Sequence, residues 1–213
     1  MIKNIFFDFD GVILESLQVK GQAFHDLYLP YGKEVAEKVI KHHLENGGIS
    51  RYEKFKIYHK EFLGKDINED QVNELAQQFS NIVVKRVIAS NKVTGVKTFL
   101  ENNKDRKFWI ISATPDKELV YIVKSIGFDS FFVGIYGSSK RKSAWVNGII
   151  EEESLSRDES IFIGDTNSDY TAAKESDIGF VLRETGIAHK GLEDFKGAKI
   201  SDFTTFESVL GDL

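Results

Sequence analysis

The stretch Ile5-Phe6-Phe7-Asp8-Phe9-Asp10-Gly11 decides the architecture. From Ile2 to Phe9 the chain is short, almost continuously apolar and rich in Ile and Phe, and a glycine follows it. Such a run reads as a central parallel strand buried on both faces. Two carboxylates stand one residue apart at its end. In an extended chain, positions i and i+2 point to the same side, so Asp8 and Asp10 would repel each other, and burying them unpartnered is expensive. A hard cation with oxygen ligands relieves that strain, and Mg2+ is the usual choice. Gly11 permits a sharp turn and a close approach of backbone to a ligand. The plainer alternative is a pair of turn aspartates in a strand-end loop.

Residues 16–89 have a different texture. Apolar residues recur at helical spacing, as in Phe24, Leu27, Tyr28 and Tyr31, then Phe55, Tyr58 and Phe62, then Val72, Leu75, Phe79 and Val83. Gly32, Gly47-Gly48 and Gly64 punctuate these runs as turns or caps. The reading is a block of helices inserted after the first strand. Beyond it, strands and helices alternate. Strands are expected at Lys107 to Ser112, Phe131 to Tyr136, Ser160 to Ile163 and Ile178 to Leu182, with a short edge strand from Ala198 to Ile200. Helices are expected between them and over Thr204 to Leu210. That alternation implies an α/β fold, a doubly wound parallel sheet with an inserted helical cap. The core comprises residues 1–15 and 90–213, and the cap residues 16–89.

Composition narrows the function. The chain has 213 residues and a formal net charge of −5, against the strongly basic face of a dedicated nucleic-acid binder. It has no Cys, which excludes disulfides, Cys-ligated zinc, iron–sulfur clusters and thiol nucleophiles. The apolar opening is broken by Asp8 and Asp10, unlike a signal peptide, and no run of about 20 apolar residues exists to span a membrane. The expectation is a soluble, cytoplasmic protein. His25, His42, His43, His59 and His189 show no metal-binding spacing and read as surface or packing residues.

Three further strand ends carry chemistry. Gly164-Asp165-Thr166-Asn167-Ser168-Asp169 follows the strand Ile161-Phe162-Ile163. In a parallel sheet all strands end at one edge, so Asp165 can approach Asp8 and Asp10 if the two strands are neighbours where strand order reverses. Helix capping alone would explain one Asp, but not a second strand-end carboxylate aimed at the first pair. Ser112 follows Ile110-Ile111, with Thr114 as a plausible N-cap and Pro115 at the first helical position. The resulting helix N-terminus offers free N–H groups to a phosphate and the Ser112 hydroxyl adds a donor; the plainer alternative is an ordinary strand–Ser–helix junction, which is common. Lys140-Arg141-Lys142 opens the next helix, where a cation opposes the dipole. A task in holding phosphate and balancing carboxylates would account for one of them; the alternative is a solvated surface charge run.

These four sites, in this order, resemble those of the haloacid dehalogenase-like superfamily of aspartate-nucleophile phosphohydrolases. Asp8-Phe9-Asp10-Gly11-Val12 looks like the first family motif, Ser112 the second, a Lys of the 140–142 run the third, and Gly164-Asp165 with Asp169 the fourth. The helical block falls where the family inserts its small cap. The resemblance implies Asp8 as nucleophile and Asp10 as the acid and then base. It implies Mg2+ held by Asp8, the backbone carbonyl of Asp10 and Asp165, with Asp169 holding the metal's water shell or orienting the lysine. It makes Ser112, Ala113 and Gly11 phosphoryl-binding residues. Lys142 is the preferred lysine, with Lys140 as runner-up. Asp10 also points to phosphate esters, because the dehalogenases and phosphonatases of the family lack a carboxylate there.

The expected activity is Mg2+-dependent hydrolysis of a small phosphorylated metabolite, a sugar phosphate among the candidates. The rivals are a phosphosugar mutase of the same family and a receiver-like signalling module. The second has no helical insertion after its first strand and is too short for this chain. The phosphoryl group is common to all substrates, so discrimination falls to the cap. The segment from Gly47 to Lys54 is the candidate contact loop, with Arg51 and Lys54 on one helical face. The sequence leaves the oligomeric state open.

Overall fold

A computed structural model describes residues 1–187 and 191–213, so His189 lies outside the described residues. Six strands form one parallel sheet: β1 (Asn4–Phe7), β2 (Lys107–Ile111), β3 (Gly134–Tyr136), β4 (Ser160–Gly164), β5 (Gly179–Arg183) and β6 (Lys199–Ile200). Their order is β3-β2-β1-β4-β5-β6. The chain therefore starts in the middle, builds outward through β2 and β3, and crosses to the other side of β1 at β4. Phe7 lies level with Ile110 on one side and Ile163 on the other. That register brings the tips of β1, β2 and β4 to one edge, with the reversal of strand order between β1 and β4.

Between β1 and β2 stand the four helices of the cap, α1 (Leu17–Tyr28), α2 (Lys33–Glu45), α3 (Arg51–Leu63) and α4 (Glu69–Ile88). α5 (Val96–Asn102), α6 (Asp116–Ser125), α7 (Lys142–Glu152), α8 (Asn167–Glu175) and α9 (Phe206–Gly211) flank the sheet. The expected strand from Phe131 is shorter than the sequence suggested. Asp129–Phe131 forms a turn of 3-10 helix, and pairing with β2 begins only at Gly134.

Side-chain alternation divides the core. Phe7, Phe108, Ile110, Ile161 and Ile163 face α5, α6 and α9, while Phe6, Trp109, Ile111 and Phe162 face α7 and α8. Trp109 is buried and its ring stacks on Phe6 at 5.1 Å between centroids. The cap has an aromatic centre of its own. Phe24 of α1 lies 4.0 Å from Phe79 of α4 and 5.9 Å from Phe55 of α3, centroid to centroid. Among the described residues no helix is long and apolar enough to cross a membrane.

The second face of the sheet depends on one large side chain with little room to collapse around it. Trp109→Ala is expected to cost about 3–5 kcal/mol, read as a lowered urea midpoint in equilibrium unfolding.

Candidate active site

The strand tips converge above the seam between β1 and β4. Asp8 follows β1 and is buried, its Oδ1 accepting the Phe9 N–H at 2.7 Å. Lys142, the first residue of α7, places its ammonium 2.8 Å from the same oxygen and 2.6 Å from Asp169 Oδ1. Asp169 is held in turn: its Oδ2 accepts the backbone N–H of Thr166 at 2.9 Å and the Thr166 hydroxyl at 2.6 Å. That capping box starts α8 and fixes where the lysine points. Asp165 follows β4 and is buried, and carboxylate oxygens of Asp8, Asp165 and Asp169 lie within 4.8 Å of one another. Gly11 makes the approach possible. Its φ is +77°, and a Cβ there would stand 2.8 Å from Asp165 Oδ2.

The electrostatics are lopsided. Burial, and after it the charges of Asp169 and Asp165, push the Asp8 carboxyl well above the usual carboxylate range, although Lys142 pulls the other way. Burial alone would lower the Lys142 ammonium, but Asp169 and Asp8 outweigh it and raise it. With all three carboxylates ionised, one ammonium would leave two negative charges in a dry site. An all-oxygen donor set carrying that charge fits a hard divalent cation such as Mg2+.

Asp10 takes a different environment. Its carboxylate turns toward the cap, where Oδ1 accepts the Ser16 hydroxyl at 2.6 Å. Oδ2 is bound by the ammonium of Lys20 and by the Thr114 hydroxyl at 3.2 Å, and Lys20 also donates to Thr114 Oγ1 at 2.7 Å. Burial would raise the Asp10 carboxyl, but the charge of Lys20 and these hydrogen bonds hold it below its usual range. Asp8 and Asp10 therefore do not share one electrostatic site, as the strand geometry suggested. The backbone turns at Gly11 and separates their surroundings.

Ser112 is buried, with its Oγ accepting the Thr114 N–H at 3.1 Å, and Ser112 and Ala113 line the cavity over Asp8. Thr114 is not the N-cap of α6. Pro115 holds that position without a side-chain bond, and the Thr114 hydroxyl serves Asp10 and Lys20 instead. Lys140 lies with its ammonium 4.3 Å from the centre of the Trp145 ring, away from the carboxylates. The cavity is about 50 Å³, and Lys20, Arg51 and Lys54 close it from the cap side. Gly48 lets the cap loop lie flush on the loop after β4, since a Cβ there would run into Ser168 and Thr166. Arg51 and Lys54 both reach the cavity as their helical spacing suggested. The Arg51 guanidinium, however, is already bound by Glu118 of α6, at 2.9 and 2.5 Å.

Lys20 and Glu118 escaped the sequence analysis. Ser16 and Lys20, four residues apart and so on one face of α1, were a signal for the first. Glu118 in the first turn of α6 reads locally as a favourable dipole contact, and nothing local announces Arg51.

The family model for haloacid dehalogenase-like hydrolases matches residues 5–182, and the chain belongs to that family. Solved structures share the fold. A predicted phosphoglycolate phosphatase from Haemophilus somnus is 18% identical, with a TM-score of 0.76 over 98% of both chains. A β-phosphoglucomutase from Clostridium difficile is 19% identical, with a TM-score of 0.75 over 99% of this chain and 96% of that one. The hydrolase YfnB of Bacillus subtilis, bound to magnesium, is 15% identical, with a TM-score of 0.73 over 99% of each chain. No curated protein sequence matches the chain significantly.

If the carboxylate cluster takes Mg2+, a ligand bound only by the folded state stabilises it. Mg2+ at about a hundredfold its Kd should add about 2.7 kcal/mol to the unfolding free energy relative to EDTA. Asp165→Asn should lose most of that gain, as measured by urea denaturation with and without the metal.

Proposed function

We propose that the protein is a Mg2+-dependent phosphomonoesterase acting on a small organic phosphate. The observation that carries the reading is Asp8, buried beside Asp165 and Asp169, with the Lys142 ammonium bridging Asp8 and Asp169, beneath a cavity lined in part by Ser112 and Ala113. Asp8, Asp165 and the Asp10 carbonyl would hold the metal, whose charge would counter the carboxylates and the phosphoryl oxygens.

In the first step an Asp8 oxygen attacks phosphorus, and the bond from phosphorus to the ester oxygen breaks. The ester oxygen leaves as an alcohol, taking a proton that passes from the Lys20 ammonium through the ionised Asp10 carboxylate. Lys20 is joined to Asp10, so the pair has a proton at hand on the side of the cavity where the leaving group sits. In the second step Asp10 takes a proton from water, the water oxygen attacks phosphorus, and the Asp8 ester breaks to release phosphate. Ser112, the Ala113 N–H and Lys142 stabilise charge on the equatorial oxygens. Asp169 is a positioning residue that holds Lys142. The close approach of Gly48 to Thr166 and Ser168 brings the cap loop against the core beside the cavity.

A screen of phosphorylated metabolites with Mg2+, read by phosphate release, tests this. Net release of inorganic phosphate supports a hydrolase, whereas transfer to a second sugar hydroxyl without release would make the protein a mutase. Asp8→Asn keeps the shape of the side chain and removes its nucleophilic charge. Turnover should fall at least a thousandfold, and no phosphorylated protein should appear by mass spectrometry. A folded Asp8→Asn protein with near wild-type phosphatase activity would refute the assignment.

A further inference from the structure

The cap carries three cations to the cavity, and each has a partner before any substrate arrives. Lys20 is bound to Asp10. Lys54 is almost fully buried, and its Nζ lies 2.8 Å from His43 Nδ1. Burial, and after it the charge of Lys20, bring that ammonium down to about 7. Arg51 is the most completely engaged. Its two terminal nitrogens meet the two oxygens of Glu118 in a bidentate pair, and Arg51 Nη1 also donates to Ser80 Oγ at 2.8 Å. The Ser80 hydroxyl donates to Glu118 Oε2 at 2.6 Å, and the guanidinium lies 4.7 Å from the centre of the Phe79 ring. The side chains of Arg51 and Glu118 are 5% and 8% exposed, so the pair is dry and its geometry fixed. Burial would raise the Glu118 carboxyl, but its bonds from Arg51 and Ser80 hold it below the usual range.

A second phosphate or a carboxylate on the leaving group could take the end-on grip of Arg51's two terminal nitrogens only by displacing Glu118. That would strand a buried carboxylate without its cation, which is strongly destabilising. We infer that Glu118 is a specificity-determining residue. By occupying Arg51 it restricts the site to phosphates whose leaving group carries no second anion at that position. The inference rests on the phosphatase reading for its substrate class, but its test reads binding alone. The competing account is that the pair merely clasps the cap to the core.

A matched pair of ligands separates the two. Glycerol 3-phosphate and 3-phosphoglycerate share a three-carbon skeleton, and the second carries a carboxylate. Their Kd values are measured by calorimetry on the Mg2+-loaded protein with Asp8→Asn, so that neither is turned over and a failure of the proposed chemistry leaves the binding result intact. Glu118→Gln should shift the affinity ratio toward 3-phosphoglycerate by tenfold or more, the scale of one charge-assisted hydrogen bond. Adding Arg51→Met should abolish that shift. An unchanged ratio, or equal losses for both ligands, would reduce the pair to a clasp and overturn the inference. If Glu118→Gln alone does not fold, the double variant Glu118→Gln, Arg51→Met, which strands neither charge, decides. The ratio should stay within a fewfold of its starting value, and a tenfold loss confined to 3-phosphoglycerate would show that Arg51 is already available to substrate.

Discussion

Three carboxylates packed into one dry pocket are the constraint on which the rest of this molecule depends. Asp8, Asp165 and Asp169 would repel one another out of any ordinary core. They stay together because each is anchored by backbone that has no freedom to retreat. Asp8 and Asp165 continue neighbouring buried strands, and Asp169 is fixed by the capping box that starts α8. Lys142 offsets part of the charge. The remainder suits the pocket to a hard divalent cation.

The same seam explains why the two aspartates of the opening motif can differ in role. Asp8 faces the carboxylates and is pushed toward the neutral form, while Asp10 faces Lys20, Ser16 and Thr114 and is held ionised. Two of those three partners, Ser16 and Lys20, come from the stretch entering and starting the cap. The environment of Asp10 thus depends on the cap being seated on the core. The Arg51–Glu118 pair ties α3 to α6 across the same boundary. Chemistry and cap position are therefore coupled through buried charge, which tolerates few alternative arrangements.

Local patterns carried far in this chain. The apolar run ending in Asp8 marked the central strand, and Gly164-Asp165 after Ile161-Phe162-Ile163 marked its neighbour. The long stretch of helical spacing between β1 and β2 marked the cap. These were legible because strand burial and helix amphipathicity are written residue by residue, with periods of 2 and 3.6. The ends of elements were less so. Thr114 had the local look of a cap and serves Asp10 instead, and the strand expected from Phe131 yields to a 3-10 turn before Gly134.

By itself, the sequence determined the α/β class, the place of the cap, the strand-end carboxylates and the absence of thiol chemistry. Only the tertiary structure decided how the charges pair. Lys142 rather than Lys140 meets Asp8, because the start of α7 directs one lysine inward and leaves the other on Trp145. Lys20 meets Asp10, and Glu118 meets Arg51 across 67 positions of chain. The physical reason is range. Period and propensity act over a few residues, whereas a buried ion pair forms wherever two elements bring opposite charges out of water together, and the intervening sequence holds no record of that meeting.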